Sequence, residues 1–245
     1  MKQHPSEKKI QQEKLGTRIN VYLREEQIAS RRGADELVAA GRVFVNGVAA
    51  KPGSLVYEGD LVQLKGEEKK YHYFAYNKPK GIVTTNAQKG ERDILRSTKF
   101  PVKKVFPVGR LDKDSRGLLI ITDDGRITKP LLEPEFDHEK EYEVTTEKPF
   151  NDAFLKKMAA GVNIGDYTTK LCKVKRLGDK KFSIILTEGK NRQIRRMCEA
   201  LGHRVHDLNR VRIMNVLLGS LEEGRFRELT GDAKTRLLKS LGIKH

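Results

Sequence analysis

Four aspartates stand within nineteen residues of this basic chain, PVGRLDKDSRGLLIITDDG at 107–125, and Asp112 directly follows an arginine and a leucine. Flanking Arg110 and Lys113 favour the ionised form of Asp112, because nearby cations stabilise a carboxylate. An ionised aspartate can act as a nucleophile, as a general base or as the partner of a developing cation. The alternative is a surface salt bridge, and the local residues leave both interpretations open.

A calcium loop is a further interpretation of this stretch. Four residues match positions 1, 3, 6 and 12 of an EF-hand: Asp112, Asp114, Gly117 and Asp123. Arg116 contradicts that match, since it places a cation at position 5, where a calcium ligand belongs. We therefore predict no metal site, and we interpret residues 114–117 and 123–125 as turns.

The most basic part of the chain is Gly189–Arg212, which carries seven Lys and Arg residues against two acids. Ile194, Met197 and Leu201 recur at helical spacing, which predicts a helix from Arg192 to Leu201 with its arginines facing a groove. The RNA-binding residues that we predict here are Lys190, Arg192 and Arg196. Tyr142, on a predicted strand, could stack on an extruded base or could be an ordinary core aromatic.

Composition favours a nucleic-acid partner. Lys and Arg total 49 against 33 acids, a formal charge of +16, and neutralising phosphates releases condensed counterions. The alternative is a basic protein without such a partner. The longest aliphatic run, Leu118–Ile121, is far shorter than the roughly 20 residues of a membrane span. The polar N-terminus and two cysteines without metal or redox spacing predict a cytoplasmic protein with no membrane partner.

Residues 16–65 have the pattern of a small helix-helix-hairpin domain. Ser30 can cap a second helix that stops at Gly41, and Asn46-Gly47 between VFV and VAA predicts a type I′ hairpin. Its arginines suit the backbone of structured RNA, which is read mainly by shape and phosphate position, or they form a solvated face. The RNA-binding residues that we predict here are Arg18, Arg31, Arg32, Arg42 and Asn46.

The remaining pattern predicts a disordered basic tail at 1–15, a linker at 66–72 and a larger domain at 73–245. Strands outnumber helices in this domain, which predicts an α+β fold with a largely antiparallel, mixed sheet and a cleft. The predicted strands are YHYFAYN, GIVTT, KVFPVG, LLIIT, KEYEVTT, KLCKVKRL and KFSIILTE. The predicted helices run from an Asn151 cap to Gly161, from Arg192 to Leu201, and within the last fifteen residues.

Several blocks together resemble the RsuA-type bacterial pseudouridine synthases. They are PVGRLDKDSRGLLIITDDG, AYNKPKGIVTT at 75–85, DHEKEYEV at 137–144 and LTEGKNRQIRRMCEALGH at 186–203. The stretch ASRRGADELVAAGRVFVNG resembles the core of the S-four-type RNA-binding domain. Within the family, HEKEY, NRQIRRMCE and RVRIMNV are most similar to the RluF branch, which modifies large-subunit ribosomal RNA.

The resemblance implies an enzyme that isomerises a uridine of 23S ribosomal RNA, or its precursor, to pseudouridine by base flipping, without metal or organic cofactor. Asp112 would be the essential aspartate, attacking the sugar or removing a sugar proton. Arg110 would extrude the base or fill its gap, Tyr142 would stack on the uracil, and Arg195 would pair with Asp112. Lys78 would shape the cleft and contact RNA. A transfer-RNA substrate and a non-catalytic RNA-binding or ribosome-assembly protein are the alternatives, and a monomer is expected.

Overall fold

A computed structural model describes residues 16–66 and 70–243, which belong to two compact units, 1–69 and 70–245. The tail predicted at 1–15 lies outside the described residues. None of the helices in these two ranges is long and apolar enough to cross a bilayer.

The small unit contains the predicted pair of helices and the predicted hairpin. Its elements are β1 (Thr17–Arg18), α1 (Ile19–Glu25), α2 (Arg31–Ala39), β2 (Val43–Val45), β3 (Val48–Ala49), β4 (Leu55–Val56) and β5 (Val62–Leu64). The Ser30 hydroxyl accepts from the Gly33 amide at 3.2 Å, which caps α2 as predicted. Asn46 and Gly47 both have positive φ, 50° and 81°, as a type I′ turn between β2 and β3 requires.

The large unit is built on one nine-stranded sheet. Its strands are β6 (Tyr73–Lys78), β7 (Phe106–Val108), β8 (Arg116–Thr122), β9 (Lys140–Thr146), β10 (Lys173–Arg176), β11 (Lys181–Leu186), β12 (Val205–Ile213), β13 (Val216–Leu217) and β14 (Phe226–Glu228). The main order is β10-β11-β9-β12-β8-β6-β14, with β7 beside β8 and β13 beside β12. Only the β12–β8 pair is parallel among these pairings, so the predicted mixed, largely antiparallel α+β fold is confirmed.

Within residues 70–243, five α-helices accompany this sheet: α3 (Ile94–Ser97), α4 (Thr128–Leu132), α5 (Asp152–Ala159), α6 (Gln193–Ala200) and α7 (Gly231–Ser240). Alternate residues of β8 enter two different cores. Leu119 and Ile121 pack in the core that includes residues of α5 and α6, whereas Leu118 and Ile120 pack in the core that includes residues of α7. The aliphatic run of β8 is therefore continuous because both faces of the sheet are covered.

One strand predicted from the sequence is wrong, and one long strand was missed. Residues 81–85, GIVTT, form no strand and make one isolated bridge at Val83, because Gly81 has a φ of 88° and its amide donates to Lys113 O at 2.7 Å. Conversely, the nine-residue strand β12 was missed. Its charged residues hide the alternation that marks a strand, yet it lies near the middle of the sheet and pairs with both β9 and β8.

Candidate active site

A cleft of about 790 Å³ opens in the large unit beside the loop that joins β7 to β8. Five of the predicted site residues line it: Arg110, Asp112, Tyr142, Lys190 and Arg192. It is also lined by three charged residues for which we predicted no role in the cleft: Lys140, Glu188 and Arg210. The cleft thus combines one half-exposed aspartate with several cations.

The backbone on both sides of Asp112 is held by hydrogen bonds. The Thr84 hydroxyl accepts from Leu111 N at 3.0 Å and donates to Leu111 O at 2.7 Å, both in a buried setting. The Ser115 amide donates to Asp112 O at 3.1 Å, which closes the turn after it. The carboxylate itself is 32% exposed, and it forms an ion pair with Arg192 Nη1 at 3.7 Å. The loop is therefore fixed while the carboxylate stays accessible.

Lys78 lies beneath this loop and not on its surface. Its side chain is fully buried, and Nζ donates to Pro79 O at 3.0 Å and to Ser115 O at 2.7 Å. Burial lowers the pKa of Lys78 to about 8, against the opposing influence of Asp112, Asp114 and Glu223. The predicted contact of Lys78 with RNA is therefore corrected: it shapes the cleft by supporting the loop from below.

The predicted pair between Arg195 and Asp112 is not formed in this structure. Arg195 Nε lies 3.3 Å from Asp114 Oδ2, and Nη2 donates to Asp114 O at 2.9 Å. Nη1 donates to Val205 O at 3.2 Å, which ties the side chain to the start of β12. Because Arg195 is held at that depth, the cation that reaches Asp112 comes from the residue preceding α6, Arg192.

Asp114 anchors both arginines. Arg192 Nη1 and Nη2 donate to Asp114 Oδ1 and Oδ2 at 3.1 and 3.2 Å, a two-pronged ion pair. Partial burial raises the pKa of Asp114, but Arg192 and Arg195 outweigh that effect and hold it below its usual value. The sequence assigned only a turn to Asp114, whereas the structure shows that it positions Arg192 within reach of Asp112.

Tyr142 forms part of the cleft wall on β9 and is directly paired with Arg210 on β12. Its ring is 9% exposed, and the guanidinium carbon of Arg210 lies 5.9 Å from the ring centroid. Arg210 Nε donates to Leu118 O at 2.7 Å. Sequence reasoning counted Arg210 among the basic residues but missed its place in the cleft, because β12 was not recognised as a strand.

Gly117 is what allows Arg210 to approach the loop of Asp112. It pairs with Arg210 across the parallel β8–β12 ladder, at a φ of 108°. A Cβ at this position would lie 2.4 Å from Arg210 O and 2.5 Å from Arg210 N, closer than any real contact. Position 117 therefore requires a glycine because of its neighbour in a different strand, β12.

Two predicted basic residues of the α6 region have local partners. Lys190 Nζ lies 4.5 Å from the centroid of the Tyr167 ring at the cleft, whereas Arg196 pairs with Asp166 and donates to Ile164 O at 2.5 Å. Arg196 does not line the cleft. Its guanidinium is directed at the 164–166 turn, and its predicted contact with RNA stays a prediction.

Glu188 is a buried carboxylate that the sequence did not single out. It accepts from Tyr167 Oη at 2.7 Å, Gln193 Nε2 at 2.6 Å and Lys170 N at 3.1 Å. It therefore fixes the wall from which α6 begins. Within the described ranges, no group of three or more His, Cys, Asp or Glu side chains is arranged to hold a metal ion.

The RNA-binding residues predicted in the small unit divide into two groups. Arg18, Arg31 and Arg32 are exposed. Arg42 is half-buried and its Nε donates to Lys65 O at 2.9 Å. The side chain of Asn46 donates to Asp60 Oδ1 at 2.8 Å and accepts from Leu61 N at 2.9 Å. The last two residues have structural contacts that the sequence did not indicate.

Known proteins resemble both units. A family model described as RNA pseudouridylate synthase matches residues 72–200, and one described as the S4 domain matches residues 17–62. The dual-specificity RNA pseudouridine synthase RluF of Salmonella typhi is 45% identical over 91% of this chain and 79% of its own length. The ribosomal large subunit pseudouridine synthase B of Bacillus subtilis is 34% identical over 86% of this chain and 91% of its own. A crystal structure of pseudouridylate synthase has a TM-score of 0.66 at 31% identity, covering 91% of this chain and 99% of its own.

Proposed function

This chain belongs to the RsuA-type family of RNA pseudouridine synthases, and from that premise we propose that it isomerises a specific uridine of large-subunit ribosomal RNA in the cytoplasm, as a monomer. The carrying observation is the accessible carboxylate of Asp112, fixed in a cationic cleft 3.7 Å from Arg192. A base inside a helix cannot reach such a cleft, so the target nucleotide is flipped out of its stack.

Each cleft residue has a role that follows from its position. Asp112 faces the ribose as the ionised catalytic group, and Tyr142 stacks on the flipped uracil. Arg110, exposed at the cleft, fills the gap that the base leaves in the RNA. Arg192 orients Asp112, while Arg195 acts at one remove by holding Asp114. The arrangement differs from that of most glycoside hydrolases, in which two carboxylates flank the bond.

The isomerisation needs no oxidant, reductant or hydrolytic water. The bond between C1′ and N1 breaks, and its electron pair leaves with the uracil ring. Asp112 either bonds to C1′ or takes the proton of C2′, and in both cases its carboxylate must be ionised at the start. After the ring turns, C5 bonds to C1′ while the bond between Asp112 and C1′ breaks, or while Asp112 returns the proton to C2′. C5 then loses its proton and N1 takes one up, so the product ring is neutral and Asp112 is regenerated.

Binding of the RNA depends on the charge of both units. The +16 chain attracts the phosphate backbone, and exposed Arg18, Arg31 and Arg32 contact it from the small unit. Lys190 and Arg192 contact it at the cleft. Such contacts release counterions, so binding weakens as salt is raised.

Pseudouridine mapping tests the proposal directly. Ribosomal and transfer RNA are compared from cells with the wild-type gene, without it, and with Asp112→Asn. We expect one or a few large-subunit positions to lose pseudouridine in the deletion and in Asp112→Asn. Asp152→Asn is the matched control, because Asp152 is an exposed acid paired with Arg176 away from the cleft, and it should restore modification. Unchanged maps in the deletion strain would refute the proposal.

Transfer RNA is the second candidate substrate. It is favoured by the name of the Salmonella typhi relative, which describes a dual-specificity enzyme. Transfer RNA from the same three strains decides this question, since loss of a transfer-RNA pseudouridine alone would replace ribosomal RNA as the substrate.

A further inference from the structure

One buried cation of the cleft has an unused hydrogen-bond donor. Arg210 is 5% exposed, and its Nε is satisfied by Leu118 O at 2.7 Å. Nη1 reaches only the Tyr142 hydroxyl at the long distance of 3.5 Å. Nη2 is buried and has no hydrogen-bond partner within the described residues. Arg210 is therefore a cleft-lining residue whose buried Nη2 is left unsatisfied.

An unsatisfied charged donor is costly in a buried position, because desolvation is not repaid by any protein acceptor. Two other cations with little exposure in this unit have protein partners: Arg126 pairs with Asp124, and Lys78 donates to two carbonyls. No carboxylate in the described part of the chain forms an ion pair with Arg210. Such a group suits an acceptor that arrives with the substrate.

The surroundings decide which part of an RNA that acceptor is. Arg210 is paired with Tyr142 across β9 and β12, and both line the cleft together with Asp112. A flipped nucleotide enters base first, so its phosphates stay near the rim while its base reaches the buried wall. Lys140, 9% exposed and with its pKa lowered to about 8 by burial and by Arg210, adds a second cation at that depth. The uracil base carries two carbonyl oxygens, which are acceptors of the kind that Nη2 lacks.

We propose that Arg210 is a further catalytic residue, whose Nη2 donates a hydrogen bond to a carbonyl oxygen of the flipped uracil and stabilises the charge formed when the glycosidic bond breaks. The inference rests on the proposed function. When the bond between C1′ and N1 breaks, its electron pair is delocalised onto the two carbonyl oxygens, and the ring becomes an anion. A preorganised buried donor binds this anion more strongly than the neutral ring, which lowers the barrier. The ring is neutral again when C5 bonds to C1′, and the later loss of the C5 proton is balanced by protonation of N1.

The test measures single-turnover conversion of a ribosomal-RNA stem-loop around the mapped uridine, with that position either uridine or 5-fluorouridine. Arg210→Gln is expected to slow loss of the uridine substrate by roughly 100- to 1000-fold, as removal of one oxyanion donor does. RNA affinity should change by less than about threefold, since the flipped ground state is neutral and phosphates supply most of the affinity. Fluorine withdraws charge from the ring, so Arg210→Gln should slow the reaction of the 5-fluorouridine substrate by a clearly smaller factor.

Arg176→Gln is the matched control. Arg176 also donates to a backbone carbonyl, Phe150 O at 3.2 Å, and stands 4.8 Å from an aromatic centroid, but it is outside the cleft. It should keep the wild-type rate. Arg210→Lys retains a cation but lacks the planar guanidinium, and it should have an intermediate rate. This variant tests the role of Arg210 if Arg210→Gln does not fold.

The outcomes separate the two proposals. A wild-type protein that forms no pseudouridine in any RNA refutes the proposed function itself. Pseudouridine formed by wild type and by folded Arg210 variants at equal rates refutes only the role of Arg210. An equal decrease in rate with uridine and 5-fluorouridine also refutes it, because the effect of a purely structural role would not depend on the charge of the leaving ring.

Discussion

Strand β8 has an aspartate pair beyond each of its ends, and the two ends differ in what their carboxylates contact. Before the strand, Asp112 is about one-third exposed and pairs with Arg192 at 3.7 Å. After it, Asp124 is fully buried, with Arg126 Nη2 at 2.9 Å and Nε at 2.9 and 3.1 Å from its two oxygens. The Tyr73 hydroxyl and the Arg126 amide donate to it as well.

The difference teaches how one stretch of sequence divides structure from function. Asp124 has its acceptor positions filled by the protein, and the Tyr73 pKa is raised by burial and by this carboxylate, so the hydroxyl keeps its proton. Nothing remains for a substrate. Asp112 keeps open lone pairs in a cleft, while hydrogen bonds to Thr84 and Ser115 fix only its backbone. Accessibility of the carboxylate, and not the presence of an aspartate, marks the functional end.

The largest effect expected from this comparison is on stability, at Asp124. Asp124→Ala removes the carboxylate that Arg126 and Tyr73 share, and we expect the free energy of unfolding to fall by about 3–5 kcal/mol. Asp112→Asn should change it by less than about 0.5 kcal/mol, because a half-exposed carboxylate is replaced by an isostere. Urea denaturation at pH 7 measures both. Equal decreases in the free energy of unfolding of the two variants would show that Asp112 is as important for stability as Asp124.

A smaller effect is expected where β8 begins. Gly117→Ala forces an L side chain to a φ of 108°, which alone costs roughly 1–3 kcal/mol, and its Cβ would collide with the backbone of Arg210. Because β8 then separates from β12, activity should fall together with the denaturation midpoint. Gly178→Ala is the control, since its nearest neighbour would be 3.9 Å away and no positive φ is involved. A fully active Gly117→Ala protein would show that this pairing does not position the cleft.

Much of the architecture could be predicted from local patterns. Asn151 caps α5 as predicted, because its Oδ1 accepts from Phe154 N at 3.0 Å. Helix α6 lies within the predicted Arg192–Leu201 helix. Alternation in KEYEVTT gave β9 with its correct bounds. These features depend on residues that are close in sequence, which is why periodicity and capping chemistry detect them.

The missed features depend on partners distant in sequence. From the sequence alone, β12 is a charged segment without a clear strand pattern. Its place in the sheet depends on the pairing of Arg210 with Gly117, 93 positions earlier, and with Tyr142. The choice of Arg192 over Arg195 as the neighbour of Asp112 depends on a left-handed residue, φ 48°, before α6. No short-range pattern encodes either arrangement, because each is set by the packing of β8, β9 and β12.

The Asp112 end of β8 also predicts a pH effect, through the lysine beneath it. The pKa of Lys78 is about 8 in the folded protein and about 10.5 in an unfolded chain, so the unfolded state binds more protons between these values. Stability from this group therefore rises as the pH rises through that window. From pH 7.5 to 9.5 wild type should gain on the order of 1–2 kcal/mol relative to Lys78→Met.

Denaturant midpoints of the two proteins at both pH values give this difference. Lys140 has its pKa lowered to about 8 as well, but it is present in both proteins and its contribution cancels. A difference that stays constant, or that moves in the opposite direction, would show that Lys78 is not buried as a strained cation under the loop.

The smallest effect on stability is expected at Asp114, which shares the loop with Asp112. Its side chain is 41% exposed, so Asp114→Asn should lower the free energy of unfolding by less than about 1 kcal/mol. The informative readout is catalytic. Without the Asp114 carboxylate, Arg192 loses the two-pronged ion pair that holds it near Asp112, so it orients the Asp112 carboxylate less well. We expect a several-fold lower kcat in steady-state assays. A kcat equal to that of wild type would show that Asp114 does not position Arg192 at the Asp112 carboxylate.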